Sequence, residues 1–137
     1  MQQRFSLSVF AGMALTAVVC NSSMAADWVV LHAAPDASLY TDPSSIDKNG
    51  DSVQMWVLID YKQPQPDKTG KQVLSDKLYY QFHCKDKTQS IVATTAYAGP
   101  MASGDIINEN PDAPQVMPIE AGTLAEDMWK LACGGGA

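Results

Sequence analysis

Positive charge is scarce in this 137-residue chain, where 9 lysines and arginines stand against 15 acids for a formal charge of −6. So acidic a surface repels phosphate backbones and anionic lipid, which removes any electrostatic basis for nucleic-acid binding. Catalytic motifs are scarce as well. There is no Gly-x-Ser-x-Gly elbow and no glycine-rich phosphate cradle. The two histidines, His32 and His83, lie far apart and lack a His-x-x-x-His or Cys-x-x-Cys companion, so no short-spaced metal set exists. None of the acids sits in an apolar run that would raise its pKa for proton transfer; Asp60 is the least ordinary and reads as a hydrogen-bonded turn acid. With no nucleophile, base or metal set converging, the chain is expected not to be an enzyme.

Long apolar runs are nearly absent too. The one run, Leu7 to Val19, is shorter than the roughly 20 residues a membrane-spanning helix needs. Arg4 precedes it, and Asn21-Ser22-Ser23-Met24-Ala25-Ala26 follows, with Ser23 and Ala25 as the small residues a signal peptidase accepts. Residues 1–25 therefore read as a signal peptide cut after Ala25, with a cut after Ala26 as the alternative. Lipidation at Cys20 is a second alternative, weakened by Val19 in the place where a small residue is required. Export leaves residues 26–133 as one domain and 134–137, with its glycine run, as a flexible tail, and it places the product in the periplasm, at the cell surface or outside the cell. After processing no segment spans a membrane.

Only three cysteines occur, and Cys20 leaves with the leader. In an oxidising compartment the remaining Cys84 and Cys133 are most simply a disulfide; two buried free thiols are the alternative.

What is present is a series of short strand patterns. Trp28–Ala33 and Ser38–Thr41 read as strands, Asp42–Ser45 as a turn or one helical turn, and Lys48-Asn49-Gly50-Asp51 as a hairpin. Val53–Tyr61 alternates, with Val53, Met55, Val57, Ile59 and Tyr61 on one side and Gln54, Trp56, Leu58 and Asp60 on the other. Gln63–Gly70, which holds Pro64 and Pro66, reads as a loop because proline cannot continue a ladder. Val73–Cys84 alternates again, placing Leu78, Tyr80, Phe82 and Cys84 on the core side and Lys77, Tyr79, Gln81 and His83 on the other. Ser90–Tyr97 is a further strand, Ile106-Ile107 a short one, and Asn108–Pro114 a loop. Thr123-Leu124-Ala125-Glu126 is a capping box opening a helix from Leu124 to about Cys133, ended by Gly134. Its broad apolar arc implies docking on a sheet. Trp28, Trp56 and Trp129 all read as core residues.

The face carrying Tyr79, Gln81 and His83, with Trp56 and Leu58 on the neighbouring strand, is mixed aromatic and polar and has no second helix to cover it. It is a candidate contact surface, with a second copy of the chain (a homodimer) or a loop lid as alternative occupants.

The ordered set Trp28-Val29, Tyr40-Thr41-Asp42, Ser45-Ile46, Val53–Tyr61, Ser75-Asp76-Lys77 leading into Cys84, and Pro118 with Gly122-Thr123-Leu124 before Cys133 resembles the surface-adhesin protein E family across essentially the whole mature chain. The resemblance implies an α+β fold, an antiparallel sheet of about six strands with one C-terminal helix packed on one face, joined to it by the disulfide. It also implies binding of matrix and serum glycoproteins such as laminin and vitronectin, and a link to haem. Two departures stand out: Val19 before Cys20 argues against a lipid anchor, and the basic segment of the family is diluted here by Asp67 and Asp76. The expected function is an adhesin-like binding module for a protein or glycoprotein partner, using Lys68, Lys71, Lys77, Tyr79, Gln81, His83, Lys85 and Lys87. The alternative is a periplasmic structural or envelope protein without an adhesive role. No metal and no cofactor is expected, with haem on His32 or His83 as the variant to test.

Overall fold

The computed structural model describes residues 26–110 and 113–134. The expected leader with Cys20 and the last residues of the expected tail, 135–137, lie outside the described residues. The elements are β1 (Val29–Ala33), β2 (Ala37–Thr41), β3 (Asp47–Asn49), β4 (Ser52–Pro66), β5 (Gln72–His83), β6 (Thr88–Tyr97), β7 (Ile106–Asn110), β8 (Met117–Pro118) and α1 (Leu124–Cys133). They form one antiparallel sheet in the order β1-β2-β4-β5-β6-β7, with β3 added to β4 and β8 added to β6. The α+β architecture holds, with two short strands more than the six read from sequence.

Side-chain alternation decides what each face becomes. Val53, Met55 and Val57 on β4 and their cross-strand neighbour Phe82 on β5 are fully buried, and Met128 and Ala132 of α1 pack on them with Ile119. Each of the larger side chains contributes on the order of 2 kcal/mol on leaving water. The Cys84–Cys133 disulfide joins the end of β5 to the end of α1, with a Cα separation of 5.7 Å. This surface is the helix face; its opposite is the open face.

The capping box forms, with one change from expectation. Thr123 accepts from the Glu126 amide as the N-cap, but the Glu126 carboxylate accepts from Gly122 N–H, one residue before the cap. Gly134 ends α1 in the left-handed conformation, at φ 84°.

Gln63–Gly70 is not a loop throughout. β4 continues to Pro66, with Gln65 paired to Val73 and Pro66 to Gln72 after an irregularity that follows Asp60. The prolines are tolerated because β2 ends opposite Tyr61, so beyond it β4 is an edge with no second ladder to supply. The turn at the tip is tied by Asp67, whose carboxylate accepts from Thr69 N–H, Thr69 O–H and Lys71 N–H. Those bonds, the Thr69 one foremost, hold its pKa below the usual carboxylate range. At the opposite edge, β7 runs to Asn110, into the stretch Asn108–Pro114 that reads as a loop, and a further short strand, β8, pairs Met117 with Gln89. No helix among the described residues is long and apolar enough to cross a membrane.

Candidate functional site

β4 and β5 are antiparallel neighbours, so equal spacings on each bring their open-face residues together. Trp56 pairs with Tyr79, Gln54 with Gln81 and Ser52 with His83. Trp56 is held in place from the edge side as well, since its N–H donates to Ser45 Oγ and its carbonyl accepts from Asp42 N–H where β2 gives way to β3.

The side chains form a continuous strip. The Trp56 and Tyr79 ring centroids are 4.5 Å apart, and Lys77 Nζ lies 4.2 Å from the Trp56 centroid. Tyr79 O–H donates to Gln54 Oε1 at 2.9 Å, and Gln54 Nε2 donates to Gln81 Oε1 at 3.3 Å. Gln81 Nε2 lies 3.4 Å from His83 Nε2, and His83 Nδ1 lies 3.3 Å from Ser52 Oγ. With a neutral His83 carrying its proton on Nδ1, the donors run in one direction along the strip. Partial burial, with the nearby Asp47 charge second, pushes the Tyr79 pKa up and keeps its hydroxyl a donor. Beside the strip, Trp56, Ala93, Thr95, Glu109 and Asn110 line an open groove of about 410 Å³.

Trp56 is therefore half-buried on the open face, not a core residue as its strand position suggested; Trp129 does pack against the core, and Trp28 is half-buried ahead of β1. One end of the open face is covered by a lid, the loop from Ala98 to Asp105. Its Met101 N–H donates to Asp60 Oδ1, while buried Ser75 donates to Gly99 O and accepts from Ala102 N–H. Asp60 is thus a hydrogen-bonded acid, although the loop it holds is distant in sequence.

The eight residues singled out from sequence fall into three places. Lys77, Tyr79, Gln81 and His83 share the open face, Lys77 with its ammonium over Trp56. Lys68 and Lys71 sit at the β4–β5 tip, about 40 Å from the β5–β6 turn by the length of β5. In that turn Lys85 pairs with Asp51 at 3.1 Å, and Lys87 pairs with Glu126 at 2.8 Å and lies 5.3 Å from the Trp129 centroid. Lys87 thus helps fasten α1. His32 on β1 and His83 on β5 are separated by β2 and β4, and strand spacing and rise put them on the order of 25 Å apart. Gln54 and Ser52 complete the strip and had not been singled out; their signal was the same alternation that exposed Trp56. Glu109 and Asn110 carry no such signal, because the polar, proline-bearing stretch from Asn108 reads as a loop and becomes strand only by pairing with β6.

The sequence profile described as surface-adhesin protein E matches residues 28–134. No curated protein matches the chain. Among solved structures, the chain is similar to protein E from non-typeable Haemophilus influenzae, with a TM-score of 0.63 at 13% identity over 82% of this chain and 79% of that one. Another structure of Haemophilus influenzae protein E matches with a TM-score of 0.59 at 17% identity, covering 72% of this chain and 80% of that one.

Proposed function

The chain belongs to the surface-adhesin protein E family, and from that premise we propose that it is an exported, non-catalytic binding module that engages a protein or glycoprotein partner through the open face of its sheet. The partner is of the extracellular-matrix or serum glycoprotein kind, and the module works at the cell surface. The observation that carries this reading is the Lys77–Trp56–Tyr79 stack, a half-buried aromatic anchor flanked by the amides of Gln54 and Gln81 and by His83. Rigid aromatic area with adaptable polar groups around it is the composition that interface centres favour. Lys68 and Lys71 at the tip and Lys85 at the far turn would act at the rim, where charge steers encounter more than it sets affinity. The reading requires no cofactor.

Binding of the purified protein to immobilised laminin and vitronectin tests it. The Trp56→Ala, Tyr79→Ala double variant, checked for retained fold, is expected to lose about tenfold or more in affinity, as removal of a central anchor does. A Lys68, Lys71 and Lys77 triple alanine form is expected to lose mainly on-rate and salt dependence. Equal binding by the double variant, or no binding of the intact protein to any matrix or serum glycoprotein offered, would sink the proposal.

A further inference from the structure

The helix face is only partly covered. Beyond α1, the extended part of the β4–β5 hairpin and the neighbouring strands β6 and β7 enclose a second groove of about 370 Å³. Its apolar lining comes from Pro66 and from Val73 and Ala96, which are almost fully buried. Its polar end holds Asp76 on β5 and Tyr61 on β4, with Asn108 of β7 on the opposite wall and Lys68 at the rim.

Tyr61 O–H donates to Asp76 Oδ2 at 2.7 Å. Burial foremost, then the bond to Asp76 and its charge, push the phenol's pKa up, so Tyr61 stays a neutral donor to Asp76. A carboxylate has about four acceptor positions, of which Tyr61 fills one. No ion pair among the described residues includes Asp76. Its neighbour Lys77 alternates to the other face and lies over Trp56. A half-buried carboxylate therefore stands in this groove, without a basic partner among the described residues, in a chain of net charge −6.

We propose that this groove receives a basic side chain, arginine in preference to lysine, from an extended segment of a partner protein. Its methylene stem lies over Val73 and Ala96, as long cationic side chains lie along apolar surface, and its charged head meets Asp76 and the Asn108 side-chain carbonyl. A guanidinium fits this end better than an ammonium because its planar fork can meet two acceptors at once. Lys68 at the rim opposes the incoming charge and sets an upper limit on affinity. The site lies on the face opposite the aromatic strip, so its failure and the failure of the open-face reading are separately observable.

The test is an NMR titration of the isotope-labelled protein with N-acetylarginine amide and, in parallel, with its neutral counterpart N-acetylcitrulline amide. Arginine is expected to shift the Ala96 methyl and the Asn108 side-chain amide saturably, with affinity falling as salt is raised. Citrulline, and arginine against Asp76→Asn, are expected to bind about tenfold more weakly, the usual effect of losing one charge-assisted bond. Lys68→Ala is expected to tighten arginine binding, by about twofold, through removal of a like charge. Citrulline binding as well as arginine, an affinity indifferent to salt, or shifts confined to Trp56 and Tyr79 would each overturn the proposal. Salt dependence on the unaltered protein keeps the test decisive if Asp76→Asn disturbs the fold.

Discussion

The hydroxyl of Ser75 donates to Gly99 O and accepts from Ala102 N–H, so one buried atom satisfies two groups of a loop in which Met101 and Ala102 both hold positive φ. Left-handed backbone disfavours non-glycine residues by about 1–2 kcal/mol each, so the lid depends on its anchors. Gly99 is required for a different reason, because a Cβ there would lie 2.6 Å from Ser103 Oγ and 2.7 Å from Ser103 O. Ser75→Ala leaves the Ala102 amide unsatisfied and is expected to destabilise the protein by about 2 kcal/mol in urea denaturation, with faster hydrogen exchange at Ala102. Trp56→Ala removes the Tyr79 stack and the Lys77 contact; about 1–2 kcal/mol of stability is expected to go with them, measured the same way. Neither site is core, so the secondary structure seen by far-UV circular dichroism should survive both.

At the scale of the element, α1 is short, ten residues, and depends on its attachments more than on propensity. Glu126 supplies two of them, Lys87 at 2.8 Å and the Gly122 N–H at 2.8 Å, and also pairs within the helix with Lys130 at 3.6 Å. The Lys87 bond first, then the Gly122 amide, hold its pKa down to about 2 from an ordinary 4.5. A depressed folded-state pKa gives stability that is complete above the unfolded value and is lost as pH falls from there through the folded one. The melting temperature should therefore fall as pH drops from 4.5 toward 2. Glu126→Gln should melt lower than the unaltered protein at pH 7, with the gap closing across that acid range, while a constant gap would assign the effect to packing. The N-cap is independent of pH in the same window, and Thr123→Ala should cost about 1 kcal/mol at every pH tested.

Across the whole molecule, the disulfide links the C-terminal helix to a sheet whose strands otherwise pair within themselves. Closing a span of 49 residues in the unfolded chain corresponds to about 4 kcal/mol in the chain-entropy treatment, a large part of the stability of a domain this size. Replacing Cys84 and Cys133 together by alanine is expected to lower the unfolding free energy by about that amount. Protection from hydrogen exchange in α1 should fall more than in the centre of β4 and β5, because the helix then loses its covalent tie and keeps its packing on Val53, Met55, Val57 and Phe82 and the Lys87–Glu126 pair. Equal loss of protection everywhere would mean that helix and sheet open as one unit. The fastening sets α1 on one side of the sheet, so the Trp56–Tyr79 strip and the Tyr61–Asp76 groove lie on opposite faces of a small domain.

The sequence by itself determined the period of the central strands and of the helix, and which side of β4 and β5 meets α1. Alternation from Val53 to Tyr61 and from Leu78 to Cys84 separated Val53, Met55, Val57 and Phe82 from Trp56, Tyr79, Gln81 and His83, because a strand has a period of two whatever it packs against. The capping box marked the start of α1 for an equally local reason, and with Cys20 expected to leave with the leader, Cys84 and Cys133 were the one pair to bridge. What only tertiary structure decided were the long-range pairings. Pro64 and Pro66 argued for a loop because sequence does not reveal that β4 becomes an edge beyond Tyr61, where missing amides leave no ladder unsatisfied. Strand β8 is two residues long and exists only because β6 offers it a partner. The placement of Lys87 against Glu126, of the Ala98–Asp105 loop over Ser75, and of Asp76 facing a groove while Lys77 faces the opposite side all depend on how far each strand runs and what lies across from it. Those quantities are set by closure entropy and packing between distant segments, and no local spacing encodes them.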